Sequence, residues 1–248
     1  MKQPDRLDTS IGTFAMVLAA GLGKRMHPLT LAIPKPLIEI AGKHLIDYAL
    51  DRLRAAQVKR VVVNIHHHAN QLENWLRAQS APEISISDER QMLLDTGGGI
   101  VKALPQLGSG PFLVLNSDSF WLEGAAPAID RLRDMWDGEK MDSLLLLSPL
   151  SSAVGYEGGG DFHMDGGGRL RRKDKTSPAP FVYAGCYLVS PTLFAGAPEG
   201  PFSMNLLWDK AQASGRLYGI RHDGLWFHVG TPGAIAYAEQ AMKSYTRQ

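Results

Sequence analysis

The sequence is poor in cysteine, since Cys186 is the only one among 248 residues. A single cysteine excludes an internal disulfide framework and a four-cysteine zinc site. Cys186 lies in the apolar run FVYAGCYLV. A cysteine in such a run is typical of a buried, unreactive thiol, so we do not expect a nucleophile there.

Charge of one sign is also scarce, because 26 basic and 25 acidic side chains give a formal net charge of +1. This balance excludes the broad basic field that would hold a nucleic acid, although a small anion needs only a few local charges. Long apolar runs are missing too, both the roughly 18 residues that span a bilayer and the apolar core of a secretory signal. We therefore expect a cytoplasmic protein without nucleic-acid or membrane partners. Its oligomeric state, monomer or homodimer, stays open because the sequence has no heptad run or obvious interface patch.

Short apolar strands alternate with helical patterns along the chain. Residues 14–19, FAMVLA, form a wholly apolar run of the kind that is buried on both faces of a parallel sheet. Similar patterns predict strands at 60–65, 84–87, 112–116, 143–147 and 181–189, helices at 44–56, 69–78, 98–103, 125–136, 203–214 and from Thr231, and a small two-stranded excursion at 161–172. This alternation predicts an α/β fold with three layers and a mostly parallel central sheet. We assign residues 13–248 to a single domain and residues 1–12 to a flexible N-terminal extension.

A glycine-rich loop, AAGLGKRMHPLT at 19–30, follows the first predicted strand. Its position predicts a place at the carboxyl edge of the sheet, where open α/β folds bind their ligands. Glycines there let backbone N–H groups approach a phosphate or a base closely. A dinucleotide-binding loop would need a glycine where Met26 stands, and the phosphate loop of NTPases would need Gly-Lys-Ser/Thr. The loop fits neither pattern.

Three basic residues distinguish this loop: Lys24 and Arg25 lie inside it, and Lys35 follows between two prolines. The prolines restrict the backbone, so Lys35 is presented from a stiff segment. Any one of these residues alone would be a solvated surface charge. A triphosphate carries about three to four negative charges, and charge-assisted hydrogen bonds from two or three fixed cations would bind it. Together they predict a site for a polyanion.

Asp118 follows the predicted strand 112–116 and is expected at the same edge of the sheet. A hard cation such as Mg²⁺ prefers carboxylate and phosphate oxygens. Asp118 is therefore the candidate metal ligand, and the alternative is that it caps the turn after the strand.

The segment LAAGLGKRMHPLTLAIPKPL resembles the signature of sugar-1-phosphate nucleotidyltransferases, and the resemblance extends from Phe14 to about Ala241. It implies a three-layer, Rossmann-like nucleotidyltransferase fold, with an NTP and a sugar 1-phosphate as substrates and Mg²⁺, with Mn²⁺ possible, as cofactor. It also implies that Arg25 grips the β- and γ-phosphates and that Lys35 contacts the α-phosphate or the sugar phosphate. The positions that would bind the nucleotide are Leu18, Ala19, Ala20, Gly21, Gly23, Lys24, Gly97 and Gly98.

The family normally supplies a second metal-binding aspartate in a Trp-x-Asp-x-Gly-Thr stretch, but this chain reads WFHVGT at 226–231, with His228 at the ligand position. Imidazole is a poor ligand for Mg²⁺ and a better one for Mn²⁺ or Zn²⁺. Three outcomes follow: an asymmetric Mg²⁺ site on Asp118 and water, which we favour, a preference for a softer ion, or a weakened enzyme. His228 also motivates an alternative of another class, a regulatory protein that binds nucleotide sugars without turnover.

Three glycines at 97–99 follow an acidic residue in LDTGGGI, where a helix begins. Their backbone N–H groups would be open to a base or sugar hydroxyl, and packing at a helix start would rarely need three glycines. The stretch resembles the N-acetylmuramate-1-phosphate uridylyltransferase branch, which implies UTP and N-acetylmuramate 1-phosphate. Mannose-1-phosphate guanylyltransferase and glucose-1-phosphate thymidylyl- or uridylyltransferase are the alternatives.

The resemblance also gives a set of sugar-side positions: Asp95, Asn116, Gly160, Asp161, Lys175 and Gly185. Lys173 could replace Lys175 at the sugar phosphate. An equally good reading places both lysines on a solvated face of an exposed ribbon.

Overall fold

The computed structural model describes residues 11–174 and 177–245. Its strands are β1 (Phe14–Leu18), β2 (Glu39–Ile40), β3 (Lys43–His44), β4 (Arg60–Ile65), β5 (Glu83–Asp88), β6 (Phe112–Asn116), β7 (Ser119–Trp121), β8 (Ser143–Pro149), β9 (Ala153–Val154), β10 (Phe162–Met164), β11 (Leu170–Arg172), β12 (Phe181–Val189), β13 (Leu217–Arg221) and β14 (Trp226–His228). Its α-helices are α1 (Leu45–Ala55), α2 (Ala69–Arg77), α3 (Asp95–Ala103), α4 (Ala128–Met135), α5 (Asn205–Ala213) and α6 (Pro232–Tyr245).

The main sheet has nine strands, in the order β11-β10-β12-β6-β1-β4-β5, with β8 beside β12 and β13 beside β8. Strands β5, β4, β1 and β6 are parallel neighbours. Strand β12 runs against β6 and β8, and β11 runs against β10. The other strands share one direction, so the sheet is mixed and mostly parallel, which confirms the predicted fold class.

Side chains on the two faces of the sheet enter different cores. Ala15 and Val17 of β1 pack with α1, α2 and α4, whereas Met16 of the same strand packs with α3 and α5. Successive side chains of a strand point to opposite faces, and both faces are covered by helices. These contacts confirm the three-layer arrangement.

Three helices begin two or three residues away from their predicted starts. The predicted helices at 98–103, 125–136 and 203–214 begin at Asp95, Ala128 and Asn205. Helix α3 begins before its three glycines, and close packing contacts hold these glycines in the helix. Pro127, immediately before α4, has a ψ of 128°, which lies outside the helical range, so the helix starts after it.

The predicted extension at 1–12 lies mostly outside the described residues. Both backbone polar groups of Gly12 are hydrogen-bonded, because its N–H donates to the carbonyl of Pro111 and its carbonyl accepts from Arg133. The assignment of 13–248 to one domain stays a prediction. Among the helices of 11–174 and 177–245, none is long and apolar enough to cross a membrane.

A second, three-stranded sheet, β7-β14-β9, was missed by the sequence reasoning because its strands are only two or three residues long. Phe227 of β14 stacks on Phe120 of β7 with ring centroids 4.8 Å apart. Phe120 in turn stacks on Tyr48 of α1 at 4.1 Å. This stack attaches the small sheet to the helical layer.

We expect Phe227→Ala to lower the free energy of unfolding by about 3–5 kcal/mol, because it leaves a cavity in a fully buried stack. Urea denaturation followed by circular dichroism measures this change. The control is Leu31→Ala, whose side chain is 64% exposed and whose substitution should change stability by less than about 0.5 kcal/mol. Equal effects of the two substitutions would contradict the packing role of Phe227.

Cys186 is fully buried in β12, and burial raises the pKa of its thiol far above the usual range. Because the thiolate is the reactive form, we expect no reaction with Ellman's reagent in the native protein and complete reaction in denaturing urea. Spectrophotometric thiol titration checks this. Rapid labelling of the native protein would show that β12 opens more easily than its burial indicates.

Candidate active site

A cavity of about 370 Å³, here called the loop cavity, lies at the carboxyl ends of β1 and β6. Eight predicted positions line it: Leu18, Ala19, Ala20, Gly21, Lys35, Asp95, Asn116 and Asp118. Gly21 has open space where a Cβ would be, so its backbone is accessible to a ligand. The glycine-rich loop and the residues after β6 therefore meet at one edge of the sheet.

Lys35 and Asp118 form an ion pair at this edge, with 2.9 Å between Lys35 Nζ and Asp118 Oδ2. Lys35 is 9% exposed and begins a short 3₁₀ turn after Pro34, whose backbone is extended. Burial raises the pKa of Asp118, but Lys35 first and then His228 and Arg25 lower it, and the result lies below the usual range. Asp118 is therefore ionised and surrounded by positive charge.

Arg25 and His228 line a neighbouring cavity of about 690 Å³ together with Tyr156 and Thr231. Gly230 separates them, since a Cβ there would lie 2.6 Å from His228 Nε2 and 3.3 Å from Arg25 Nη1. Antiparallel pairing of β14 with β7 places His228 opposite Ser119, next to Asp118 in the chain. Lys35 thus lines the same cavity as Asp118, whereas Arg25 lines the neighbouring one.

His228 stacks on Trp226, with ring centroids 5.8 Å apart, and its ring edge meets Tyr156. Burial lowers the pKa of His228, a shift that Asp118 opposes and that Lys35 and Arg25 reinforce. The imidazole is therefore neutral near pH 7, which is the form that binds a metal ion.

Asp118 and His228 fit a divalent cation only in part. Among the described residues, no group of three or more histidine, cysteine or acidic side chains could hold a metal ion alone. Mg²⁺ in phosphoryl-transfer sites commonly takes one or two carboxylates and completes its shell with water and substrate phosphates. Asp118 meets that requirement when a phosphate ligand is also bound.

Gly97, Gly98 and Gly99 have packing partners, contrary to the expectation that packing would rarely need three glycines. A Cβ at Gly97 would lie 2.2 Å from the Phe202 ring, and one at Gly98 would lie 2.3 Å from the Gly200 carbonyl oxygen. Both N–H groups donate to the carbonyl of Phe202, at 2.8 and 3.2 Å. Their role in nucleotide binding stays a prediction, and the segment around Phe202 would have to release them.

Gly23 and Lys24 shape the loop in different ways. Gly23 has a φ of 62°, and a Cβ there would lie 2.8 Å from Thr30 Cγ2. The Thr30 hydroxyl donates to the Gly23 carbonyl at 2.9 Å, which closes the loop on itself. The positive φ and the contact with Thr30 thus explain why a glycine stands at position 23. The side chain of Lys24 is accessible to solvent.

The predicted sugar-side residues are spread over the site: Asp95 and Asn116 line the cavity at the ends of β1 and β6, Gly160 and Asp161 lie before β10, and Gly185 lies in β12. Asp161 accepts a hydrogen bond from the N–H of Tyr183 at 3.0 Å and borders a cavity of about 350 Å³ that also contains Lys173. Gly160 packs on the backbone of Ala179, where a Cβ would lie 2.1 Å from the carbonyl oxygen. Lys175 lies outside the described residues.

Gly185 has a φ of 80° at a register shift in β12. A Cβ there would lie 2.1 Å from Ser119 Oγ and 3.4 Å from Asn116 Cβ. The glycine therefore makes room for the residues on either side of Asp118, whether or not it touches a sugar.

A buried polar network behind the loop was missed by the sequence reasoning. Asn64 accepts from the N–H of Ala19 at 2.7 Å and donates to Glu89 at 2.8 Å. Glu89, only 1% exposed, also accepts from the N–H of Leu94 at 3.0 Å. The network joins the start of the glycine-rich loop to the segment before α3. The available signal was Asn64 itself, a polar residue inside the apolar strand RVVVNI.

Comparisons with known proteins agree with this geometry. The sequence model described as nucleotidyl transferase matches residues 14–160. The chain is 48% identical to an N-acetylmuramate alpha-1-phosphate uridylyltransferase of Caulobacter vibrioides, over 91% of this chain and 95% of the relative. It is 33% identical to a protein of the same description from Neisseria meningitidis, over 88% of this chain and 93% of the relative.

A solved structure of UDP-glucose pyrophosphorylase in complex with UDP-glucose shares the fold, with a TM-score of 0.76, 17% identity, and coverage of 95% of this chain and 99% of that one. The predicted family resemblance is confirmed by the family match and by both relatives. The chain therefore belongs to the nucleotidyl transferase family, whose members transfer a nucleoside monophosphate to a sugar 1-phosphate.

Proposed function

We propose that this enzyme transfers UMP from UTP to N-acetylmuramate 1-phosphate and releases pyrophosphate. The observation that carries the proposal is the Lys35–Asp118 pair beside the glycine-rich loop, with Arg25 and His228 close enough to shift the pKa of Asp118. The choice of UTP and N-acetylmuramate rests on similarity to the Caulobacter vibrioides relative over nearly its full length.

The reaction is an in-line displacement. An oxygen of the sugar phosphate attacks the α-phosphorus of UTP, a new P–O bond forms, and the bond to the bridging oxygen of pyrophosphate breaks. A phosphate monoester is already ionised near neutral pH, so the reaction requires no general base. Lys35 holds the two anionic reactants together, and Arg25 neutralises charge on the leaving pyrophosphate. Catalysis consists mainly of positioning and charge neutralisation.

Asp118 would hold the divalent cation, with His228 as a second ligand or as a hydrogen-bond partner of its water. A cation bound there would neutralise the charge that develops on the phosphates. We expect Mg²⁺, and the neutral imidazole of His228 would also suit Mn²⁺. We place the enzyme in the cytoplasm, where its substrate UTP is available, and leave monomer and homodimer open.

Sugar-nucleotide formation is tested by crossing the four NTPs with the 1-phosphates of N-acetylmuramate, mannose, glucose and N-acetylglucosamine, with Mg²⁺ and Mn²⁺ in separate reactions. We expect the highest kcat/KM for UTP with N-acetylmuramate 1-phosphate, measured as pyrophosphate release. Preference for GTP with mannose 1-phosphate would favour the activity named for a 28% identical relative from Danio rerio. Tight binding without turnover would contradict the proposal and support a regulatory protein.

Asp118→Asn should lower kcat by about 100- to 1,000-fold, because loss of one preorganised electrostatic contact costs about 2.7–4 kcal/mol in a transition state. The matched control is Asp134→Asn, an exposed aspartate in α4 whose substitution should leave kcat unchanged. Both variants should keep the far-ultraviolet circular dichroism of the wild type. Near-normal turnover of Asp118→Asn would refute the role of this carboxylate.

A further inference from the structure

The loop cavity has two walls that come from different parts of the chain. Residues 18–21, at the end of β1 and the start of the glycine-rich loop, form the first wall. Leu93, Asp95 and Thr96, before and at the start of α3, form the second. Asn64 of β4 also lines the cavity and is 3% exposed. The separation of the two walls therefore decides what fits between them.

The first wall is fixed by side chains at the point where β1 turns into the loop. The carbonyl of Leu18 accepts from the N–H of Ser117 at 3.2 Å and from the Ser117 hydroxyl at 2.8 Å. One residue further, the N–H of Ala19 donates to Asn64 Oδ1 at 2.7 Å. Ala19 is 4% exposed, so this bond is shielded from water. The Asn64 side chain thus takes the place of a strand partner for a buried N–H group that must be paired.

The second wall is attached to the same side chain through Glu89, which is 1% exposed. Asn64 Nδ2 donates to Glu89 Oε1 at 2.8 Å, and the N–H of Leu94 donates to Glu89 Oε2 at 3.0 Å. Gly99 of α3 leaves space for this contact, since a Cβ there would lie 2.8 Å from Glu89 Oε1 and 3.0 Å from Asn64 Nδ2. Both carboxylate oxygens and both polar atoms of the amide are therefore used. Such a network is rigid, and the loss of one member leaves another unpaired.

The backbone of the second wall is held in a costly conformation. Asp95, which lines the loop cavity, has a φ of 58°, a value that residues other than glycine adopt rarely. Such a residue persists only where its surroundings fix it. The preceding residue, Leu94, is fixed at both backbone groups, because its N–H donates to Glu89 and its carbonyl accepts from the N–H of Phe202 at 3.1 Å. The carboxylate of Glu89 is thus part of what holds Asp95 in place.

We propose that Asn64 and Glu89 are positioning residues that set the separation of the two walls for the nucleotide, an inference that rests on the proposed function. Asn64 holds the loop at Ala19, Glu89 holds the start of α3 through Leu94, and the bond between the two side chains joins the walls. The site is thus formed before UTP binds, and no binding energy is lost in ordering it. Because the walls contact the nucleotide in the ground state and the transition state alike, their displacement raises KM more than it lowers kcat.

The test reverses the direction of the hydrogen bond between the two side chains. Asn64→Asp places two carboxylates against each other, and Glu89→Gln places its amide donor against either Asn64 Nδ2 or the N–H of Leu94. In the double variant the new amide at position 89 donates to the new carboxylate at position 64, which still accepts from Ala19. The carbonyl oxygen at position 89 accepts from Leu94. Every bond of the network is then restored, and the pair still carries one negative charge.

We expect each single variant to raise KM for UTP about 10- to 100-fold, as for the loss of a buried hydrogen bond to a charged group, while kcat falls less than about threefold. The double variant should return KM to within about fivefold of the wild type. Hydrogen exchange of the amides in 92–96 should be faster in Asn64→Asp, because the substituted side chain is linked to this segment through Glu89. The same amides should exchange slowly again in the double variant.

Asn70→Asp is the matched control, because it makes the same chemical change at an exposed residue of α2, whose side-chain oxygen accepts from Arg90. It should change KM for UTP by less than about twofold. Losses that multiply in the double variant would overturn the inference and indicate that the two side chains act separately. A lower melting temperature of the single variants with unchanged KM would also overturn it, since the network would then serve folding alone. If Asn64→Asp does not fold, Glu89→Gln compared with the double variant gives the same test.

Failure of the proposed function would be visible separately, as wild-type protein that transfers no UMP to any sugar 1-phosphate. In that case calorimetric titration of the wild type, both single variants and the double variant with UTP and Mg²⁺ still tests the pair. Affinity for UTP that falls in each single variant and returns in the double variant would support the positioning role. Equal affinities of all four proteins would overturn it.

Discussion

The ion pair between Lys35 and Asp118 is the interaction on which the arrangement of the site depends. A buried lysine and a partly buried carboxylate each cost free energy alone, and each lowers that cost for the other. Their 2.9 Å contact joins the loop after β1 to the turn after β6. Arg25 is a further positive charge that lowers the pKa of Asp118, whereas the neutral imidazole of His228 adds no charge near pH 7. The site is thus held together by an ion pair whose two members the proposed substrates and cation would also contact.

The small sheet β7-β14-β9 brings Asp118 and His228, which are more than a hundred positions apart in the sequence, into the same site. Strand β7 begins immediately after Asp118, and β14 carries His228 opposite Ser119. Because Phe227 and Phe120 form a fully buried stack, the two strands have a fixed register. Gly185 then allows β12 to approach Ser119 without a clash. The geometry at Asp118 is therefore a consequence of packing on three sides.

The sequence predicted those features that a few neighbouring residues determine. Apolar runs indicated the central strands, and strand-end position placed the glycine-rich loop and Asp118 at one edge. Features that depend on residues distant in the sequence could not be predicted. The three glycines of α3, for example, pack against residues that no local sequence pattern links to them: Phe202, Gly200, Glu89 and Asn64. The short strands of the small sheet and the Asn64–Glu89 network belong to the same class. His228 was noticed as a departure from the family pattern, but its neutral state follows from burial that only the fold reveals.

The charged residues and the aromatic residues around the site lie on different parts of the sheet. Lys35, Arg25 and Asp118 follow β1 and β6, the parallel strands whose carboxyl ends bind phosphates in many α/β proteins. Tyr183 and Tyr187 of the antiparallel β12 and Trp208 of α5 line a second, smaller cavity. Substitutions in β12 and α5 alter the lining of the second region without moving the ion pair. The two regions can therefore change independently, because the aromatic lining contributes no atom to the Lys35–Asp118 pair.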